Sequence, residues 1–394
     1  MDLYKRAGAR YFVSMGAHCD NFDLWDSRHQ PWNAANVGPR RNILGEFARA
    51  ARRRGLKFGV SIHSNWTWRW MWPAFGADTE GPLKGVPYDG NLTKADGKGQ
   101  WWEGLDPRDL YGPPRTAEES KTDAQADPAF VANWKARVLD VVDRYNPDLL
   151  YFDWAHLPFE ATGLDIAAHY YNASAKRHGG VPQAVLNVKE VPDADRDALM
   201  LDVERGQTDS LQAWPWQTDT CLGNWFYVKD GAYKSAEEVV HMLADIVSKN
   251  GNLLLNVPLR PDGTLDAREV ATVEAIGRWT KANGAAIYGT RPWRIYGEGP
   301  TQIKPGMFGE GARFTPKDVR FTTKGTRLYA IFLGWPGPRA TVHALATEPV
   351  RSVRLLGSRA RLAWTQDAGG LHVAMPERRP EAGLAYTLEI ERAP

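Results

Sequence analysis

The stretch NPDLLYFDWAH, residues 146–156, holds the question on which the fold turns. Leu149 to Phe152 form an unbroken apolar and aromatic run that ends on a single acid, Asp153, followed by Trp154. A short apolar run bounded by turn residues reads as a buried strand. A carboxylate taken out of water at the end of such a strand needs a partner or a chemical task.

Working outward, apolar strand-like runs alternate with helical patterns over the first three quarters of the chain. The predicted strands are 11–15, 57–62, 149–153, 184–188, 198–203 and 252–257, with 223–228 as a candidate seventh. The predicted helices are 3–7, 42–54, 129–145, 165–177, 235–249 and 266–283. This alternation predicts an α/β fold with a parallel sheet and helical crossovers. At this length it points to a (β/α)8-like (TIM-type) barrel. A complete barrel needs eight strands, so the barrel is expected to be N-terminally incomplete. The first residues, a helix tail followed by a strand, carry no leader pattern.

Beyond about residue 285 the pattern changes to short alternating runs separated by Gly and Pro turns, at 326–333, 350–356, 361–366 and 385–390. That predicts a C-terminal antiparallel β-sandwich. The expected division is a barrel over 1–285 and a sandwich over 286–394. Residues 64–127 form one long connection rich in Gly, Pro, Asp and Trp. Its Trp101-Trp102-Glu103 favours an ordered loop lying over a site.

Composition narrows the function. The net charge is only +2, with no long basic run, so neither nucleic acid nor an anionic membrane is the expected partner. No apolar run is long enough to span a bilayer. The two cysteines, Cys19 and Cys221, lack metal-type spacing and suggest no disulfide framework. Seventeen tryptophans in a nearly neutral chain favour stacking on sugars.

Barrel enzymes carry their chemistry at the C-terminal ends of the strands. Those ends are polar here. The first runs into His18, Cys19 and Asp20; the second ends at Ser61 and His63, with Trp66, Trp68 and Trp70 beyond. Then come Asp153, Asn187, the group Asp202, Glu204 and Arg205, and Asn256. Each alone has a structural reading: a packed His, a loop cap, a salt bridge. Their agreement across the sheet favours a site. Paired carboxylates with tryptophans and histidines suit glycoside hydrolysis, where one carboxylate attacks the anomeric carbon and a second acid protonates the leaving oxygen.

The segments AHCDNFDLWDS (17–27), GLKFGVSIHSNWTW (55–68), LLYFDW (149–154), SKNGNLLLNVPLRPDG (248–263), IYGTRPW (287–293) and DVRFTTKG (318–325) together resemble the α-L-fucosidases of glycoside hydrolase family 29. The resemblance implies a retaining mechanism on a barrel followed by a β-sandwich. It puts Asp153 on the nucleophile, Tyr151 on an aromatic flanking the sugar, His18 on a hydroxyl-binding His, and Arg205 on an Arg near the nucleophile. Trp25, His63 and Trp68 lie in the matching segments and join the expected substrate contacts. Cys19 stands where the family has a second His, and Ala17 replaces a Lys. Gln217, in PWQTDT, stands where a Trp-Glu segment often carries the proton donor. A neutral amide cannot supply that proton, so the resemblance leaves Glu204 or Glu103 as acid/base. Glu204 is favoured, although the charge of the adjacent Arg205 would work against a general acid.

The implied partner is a fucosylated oligosaccharide or glycoconjugate. No cofactor and no metal are expected, and the sequence allows a homo-oligomer. Family habit suggests export, to the periplasm or beyond. Three rivals stand beside this reading: a non-catalytic glycan-binding relative, a hydrolase of a related sugar such as an α-L-galactoside, and a metal-dependent barrel hydrolase using His18, Asp20, His63 and Asp153.

Overall fold

A computed structural model describes residues 1–393. The chain forms two compact units. One comprises Arg10–Met200; the other comprises the described residues from Leu201 onward together with Asp2–Ala9.

The short first helix, α1 (Asp2–Ala7), belongs to the second unit. In the first unit four parallel strands follow in chain order: β1 (Tyr11–Ala17), β2 (Lys57–Ile62), β3 (Leu149–Phe152) and β4 (Val185–Val188). They are linked through α2 (Ile43–Arg53), α3 (Trp66–Trp70), α4 (Pro107–Tyr111), α5 (Pro128–Tyr145) and α6 (Ala161–Arg177). All four residues of β3 are buried, as its sequence requires. Helix α5 starts on Asp127, whose carboxylate accepts from the Ala129 and Phe130 amides. It ends at Asn146, which adopts the left-handed conformation that Asn tolerates.

β1 bulges between Met15 and Ala17. Gly16 permits this: a Cβ there would lie 2.7 Å from Ile62 and 2.8 Å from Val60. The loop beyond β1 is fastened to α5. Asp23 is fully buried and pairs with the buried Arg137, whose guanidinium also donates to Asn21. Trp25 is also fully buried, and its indole N–H donates to Asp140, 2.8 Å away. Burial pushes the Asp23 carboxyl up in spite of Arg137 beside it, a sign of how much desolvation the pair carries.

The long connection predicted over 64–127 is built, not loose. Arg115 organises it by donating to the carbonyls of Thr67, Trp68, Tyr111 and Pro113, and its guanidinium lies 4.7 Å from the Trp68 ring centroid. Burial drops the Arg115 pKa to about 10.

The second unit carries three further parallel strands, β5 (Met200–Glu204), β6 (Trp216–Cys221) and β7 (Gly251–Asn256). With them come α7 (Ala236–Ser248) and α8 (Ala267–Asn283), each opened by a capping box, at Ser235/Glu238 and Asp266/Glu269. The candidate strand at 223–228 is corrected. That segment is a loop with Trp225 and Phe226 exposed, and the strand is β6, six residues buried throughout. Its sequence, WQTDTC, hides this, because its polar side chains are satisfied inside the protein rather than by water.

Two antiparallel sheets complete the second unit. β8 (Arg291–Glu298), β9 (Val319–Lys324) and β10 (Arg327–Phe332) lie in one sheet; β11 (Arg339–Val342) opens the other. β12 (Val350–Leu355) joins the first, β13 (Trp364–Asp367) and β14 (Gly370–Ala374) the second, and β15 (Tyr386–Arg392) the first. Trp293, Phe321, Leu328 and Ile390 of one sheet pack with Val342, Leu371 and Val373 of the other, the core of a sandwich. Among the described residues no helix is long and apolar enough to cross a membrane.

Replacing Arg137 by Met should strand the Asp23 carboxylate in the core and cost about 3–5 kcal/mol in urea unfolding. Asp23→Leu combined with Arg137→Met should recover most of that loss. A single variant as stable as wild type would show that the pair does not anchor the loop.

Candidate active site

The parallel register builds the site in the first unit. Ala17 pairs with Ile62, Ile62 with Phe152, and Tyr151 with Asn187. One step further along the strands, the register brings His18, His63, Asp153 and Lys189 into a single row. Side chains alternate across a strand, so Ser61, Tyr151 and Asn187 lie on the same face as that row.

The contacts follow this geometry. The His18 and His63 ring centroids are 5.0 Å apart. His63 Nδ1 lies 3.5 Å from Asp153, and Lys189 Nζ lies 3.6 Å from its other carboxylate oxygen. The Tyr151 ring stands edge-on to His63 at 5.7 Å, with the Lys189 ammonium 5.3 Å from its centroid. The Trp66 indole donates to the Asp153 carbonyl and packs against Trp154 at 4.2 Å. Asp153 itself keeps a quarter of its side chain exposed, so it can be reached.

Electrostatics distribute the protons. Burial, then the charges of His18 and Lys189, hold the His63 pKa well below its ordinary value, so this ring is neutral. Ser61 Oγ and His63 Nε2 share a hydrogen bond at 2.6 Å. Burial pushes the Cys19 thiol up to about 12, helped by Asp153 and Asp20, so Cys19 offers only an S–H. Asn187 is fully buried, and neither its amide N nor its amide O meets a hydrogen-bonding partner among the described residues. Lys189 and Asn187 were not both visible from sequence. Asn187 closes an apolar strand and could be singled out, whereas Lys189 lies in a polar turn and only the β3–β4 register reveals it.

The remaining residues expected at the site are placed differently. Trp25 is fully buried, and its indole N–H donates to Asp140. Trp68 is buried under Arg115 and donates to the Glu119 carbonyl, so the structure does not bring it into the row. Glu103 is exposed and accepts from the Gly99 amide of its own turn.

The second unit holds the other carboxylates. Glu204 closes β5 and pairs in register with Asp219 of β6. Gln217 is fully buried and donates to Asp202 at 2.6 Å. Arg205 follows in the left-handed conformation, φ +44°, and its guanidinium binds Glu310 at 2.7 Å. Lys234 Nζ and Thr220 Oγ1 complete the shell of the same carboxylate, at 3.0 and 2.5 Å. Burial raises the Glu310 pKa, but the bonds from Thr220, Lys234 and Arg205 outweigh it and leave the net shift downward. No group of three or more His, Cys, Asp or Glu among the described residues is arranged to hold a metal ion.

Residues 1–285 match the family model of alpha-L-fucosidase, and residues 313–391 match that of the alpha-L-fucosidase C-terminal domain. The chain belongs to the alpha-L-fucosidase family, glycoside hydrolase family 29. It is a glycosidase-family enzyme of the hydrolase class. It is 26% identical over 406 residues to the tissue alpha-L-fucosidase of Rattus norvegicus, covering 99% of this chain and 74% of that one. The human tissue enzyme is 25% identical over 404 residues, covering 99% and 73%. Among solved structures, the Thermotoga maritima alpha-fucosidase in complex with a mechanism-based inhibitor superposes with a TM-score of 0.70 at 25% identity, covering 99% of this chain and 77% of that one. The alpha-L-fucosidase isoenzyme 1 of Paenibacillus thiaminolyticus shares the fold, with a TM-score of 0.69 at 21% identity, covering 100% and 85%.

A His held neutral in the folded state has a defined pH signature. Above pH 6.5 His63 is neutral folded and unfolded, and contributes no pH dependence. Below it the unfolded chain takes up a proton that the folded chain resists, so stability falls with pH. Melting temperatures measured between pH 7.5 and 5 should therefore decline more steeply for wild type than for His63→Gln. Equal slopes would show that His63 protonates freely in place.

Proposed function

We propose that this enzyme removes terminal α-L-fucose from oligosaccharides or glycoconjugates with retention of configuration, using Asp153 as nucleophile and Glu204 as acid/base. In this reading residues 1–285 form the catalytic part and 286–394 an accompanying sandwich. The protein is exported, as its family resemblance implies. The observation that carries the reading is the reachable Asp153 carboxylate, flanked by Lys189 and a neutral His63 in one row.

The chemistry follows from those groups. The Lys189 ammonium, 3.6 Å from Asp153, is an opposite charge of the kind that favours the carboxylate form a nucleophile needs. Asp153 bonds to the anomeric carbon as the glycosidic C–O bond breaks and Glu204 gives its proton to the leaving oxygen. Glu204 then takes a proton from water, which attacks the same carbon and frees Asp153. His18 and the protonated Cys19 donate to sugar hydroxyls, and Tyr151 flanks the ring. The Asn187 amide, buried without a protein partner, is suited to bind a hydroxyl or a water beside Asp153.

Asp153→Ala should lower turnover of 4-nitrophenyl α-L-fucoside by about a thousandfold or more, with azide restoring activity to the folded variant. Glu204→Gln should spare this activated substrate in the first step and lose about a hundredfold or more on a fucosyl disaccharide. Undiminished turnover by Asp153→Ala would remove the nucleophile assignment. Inverted first-formed product by NMR would remove the retaining mechanism.

A further inference from the structure

Glu310 lies far from the residues that sequence patterns single out, in the segment between β8 and β9, yet it is bound to the end of β5. The Phe308 amide donates to the Glu204 carbonyl at 2.8 Å, and the Glu310 amide donates to the Arg205 carbonyl at 2.9 Å. The Gly306 amide donates to the Gln207 carbonyl at 3.1 Å. The approach is close enough that a Cβ on Gly206 would fall 1.9 Å from the Gly306 carbonyl oxygen. Three alternating backbone bonds therefore fix this strap against residues 204–207.

The strap delivers one side chain into a charged cluster. Arg205 leaves β5 with a left-handed backbone, a conformation strained for a non-glycine residue. Its amide bond to the Asp219 carbonyl and its guanidinium bond to Glu310 both depend on that turn. The Glu310 carboxylate, with a tenth of its surface exposed, is shared by Arg205, Lys234 and Thr220. Asp219 and the Cys221 thiol lie within electrostatic reach of the cluster, as does Glu204. Glu204 is the immediate neighbour of Arg205 and also faces Asp219 across the β5–β6 register.

We propose that Glu310 is a positioning residue of the active site: its carboxylate binds Arg205 and Lys234 and offsets one of their two charges, which helps Glu204 retain the proton it must deliver. The inference rests on Glu204 as acid/base. It resolves a conflict present in the sequence, where a general acid stands next to a permanent cation. The cation is not removed; its charge is partly offset by an acid brought from a separation of 105 positions along the chain. Glu310 touches neither sugar nor reacting atoms in this role.

The test is the pH profile of kcat/KM on a fucosyl disaccharide, whose poor leaving group demands acid help. Glu310→Gln adds net positive charge beside Glu204, favours its carboxylate, and should move the basic limb down by about one pH unit, with about a tenfold loss at pH 7. Arg205→Gln should move that limb up. The double variant Arg205→Gln/Glu310→Gln restores the wild-type net charge and should return the limb toward its original position. If Glu310→Gln lowers the melting temperature but leaves the limb in place, the role is structural and the proposal fails. If Glu310→Gln does not fold, an unmoved limb in Arg205→Gln overturns it equally. Glu204→Gln separates the two readings. Retention of the basic limb there removes Glu204 as donor and the inference with it. Loss of that limb, with Glu310→Gln superimposable on wild type, overturns the inference alone.

Discussion

A carboxylate at the end of a strand buried along its whole length is the constraint around which the first unit is built. Asp153 needs polar and charged partners there. The parallel register answers with an ammonium on one side, Lys189, and a neutral imidazole on the other, His63. A second positive charge at His63 would cost its own desolvation, and burial together with Lys189 and His18 prevents it. The row needs its strands in register. It also needs the loop beyond β1 held down, which the buried pair of Asp23 with Arg137 and the bond from Trp25 to Asp140 accomplish.

The second unit solves the opposite electrostatic problem. In the proposed reading Glu204 is the proton donor, which must avoid stabilising its own anion, yet Arg205 follows it directly. The answer is compensation at a distance: a strap bound to the β5 end by backbone hydrogen bonds carries Glu310 to the guanidinium. Thr220 and Lys234 keep Glu310 itself ionised. Family membership alone, shown by the match over residues 1–285, does not predict this arrangement, since it depends on residues outside that match.

Much of the fold was legible locally. Helical periodicity and apolar runs such as Leu149–Phe152 placed most helices and most parallel strands within a few residues. β6 was missed because its polar residues find partners inside: Gln217 on Asp202, Thr218 on the Gly206 carbonyl, Thr220 on Glu310. Aromatic residues drew attention to 223–228 instead, where two of them face solvent. Trp25 illustrates a related point. A tryptophan in a matching segment reads as a sugar platform, but nothing in the sequence states whether its face is covered.

The sequence by itself determined the alternation of strands and helices, the change to antiparallel sheets near residue 285, and the polar strand ends with Asp153 among them. These are properties of periodicity and of residues adjacent in the chain. Only the tertiary structure decided which polar groups share a carboxylate. Lys189 reaches Asp153 from 36 residues away because β3 and β4 pair in one register. Glu310 reaches Arg205 because a strap binds the end of β5. Charges act through space, so their partners follow from register and packing, which no local pattern encodes.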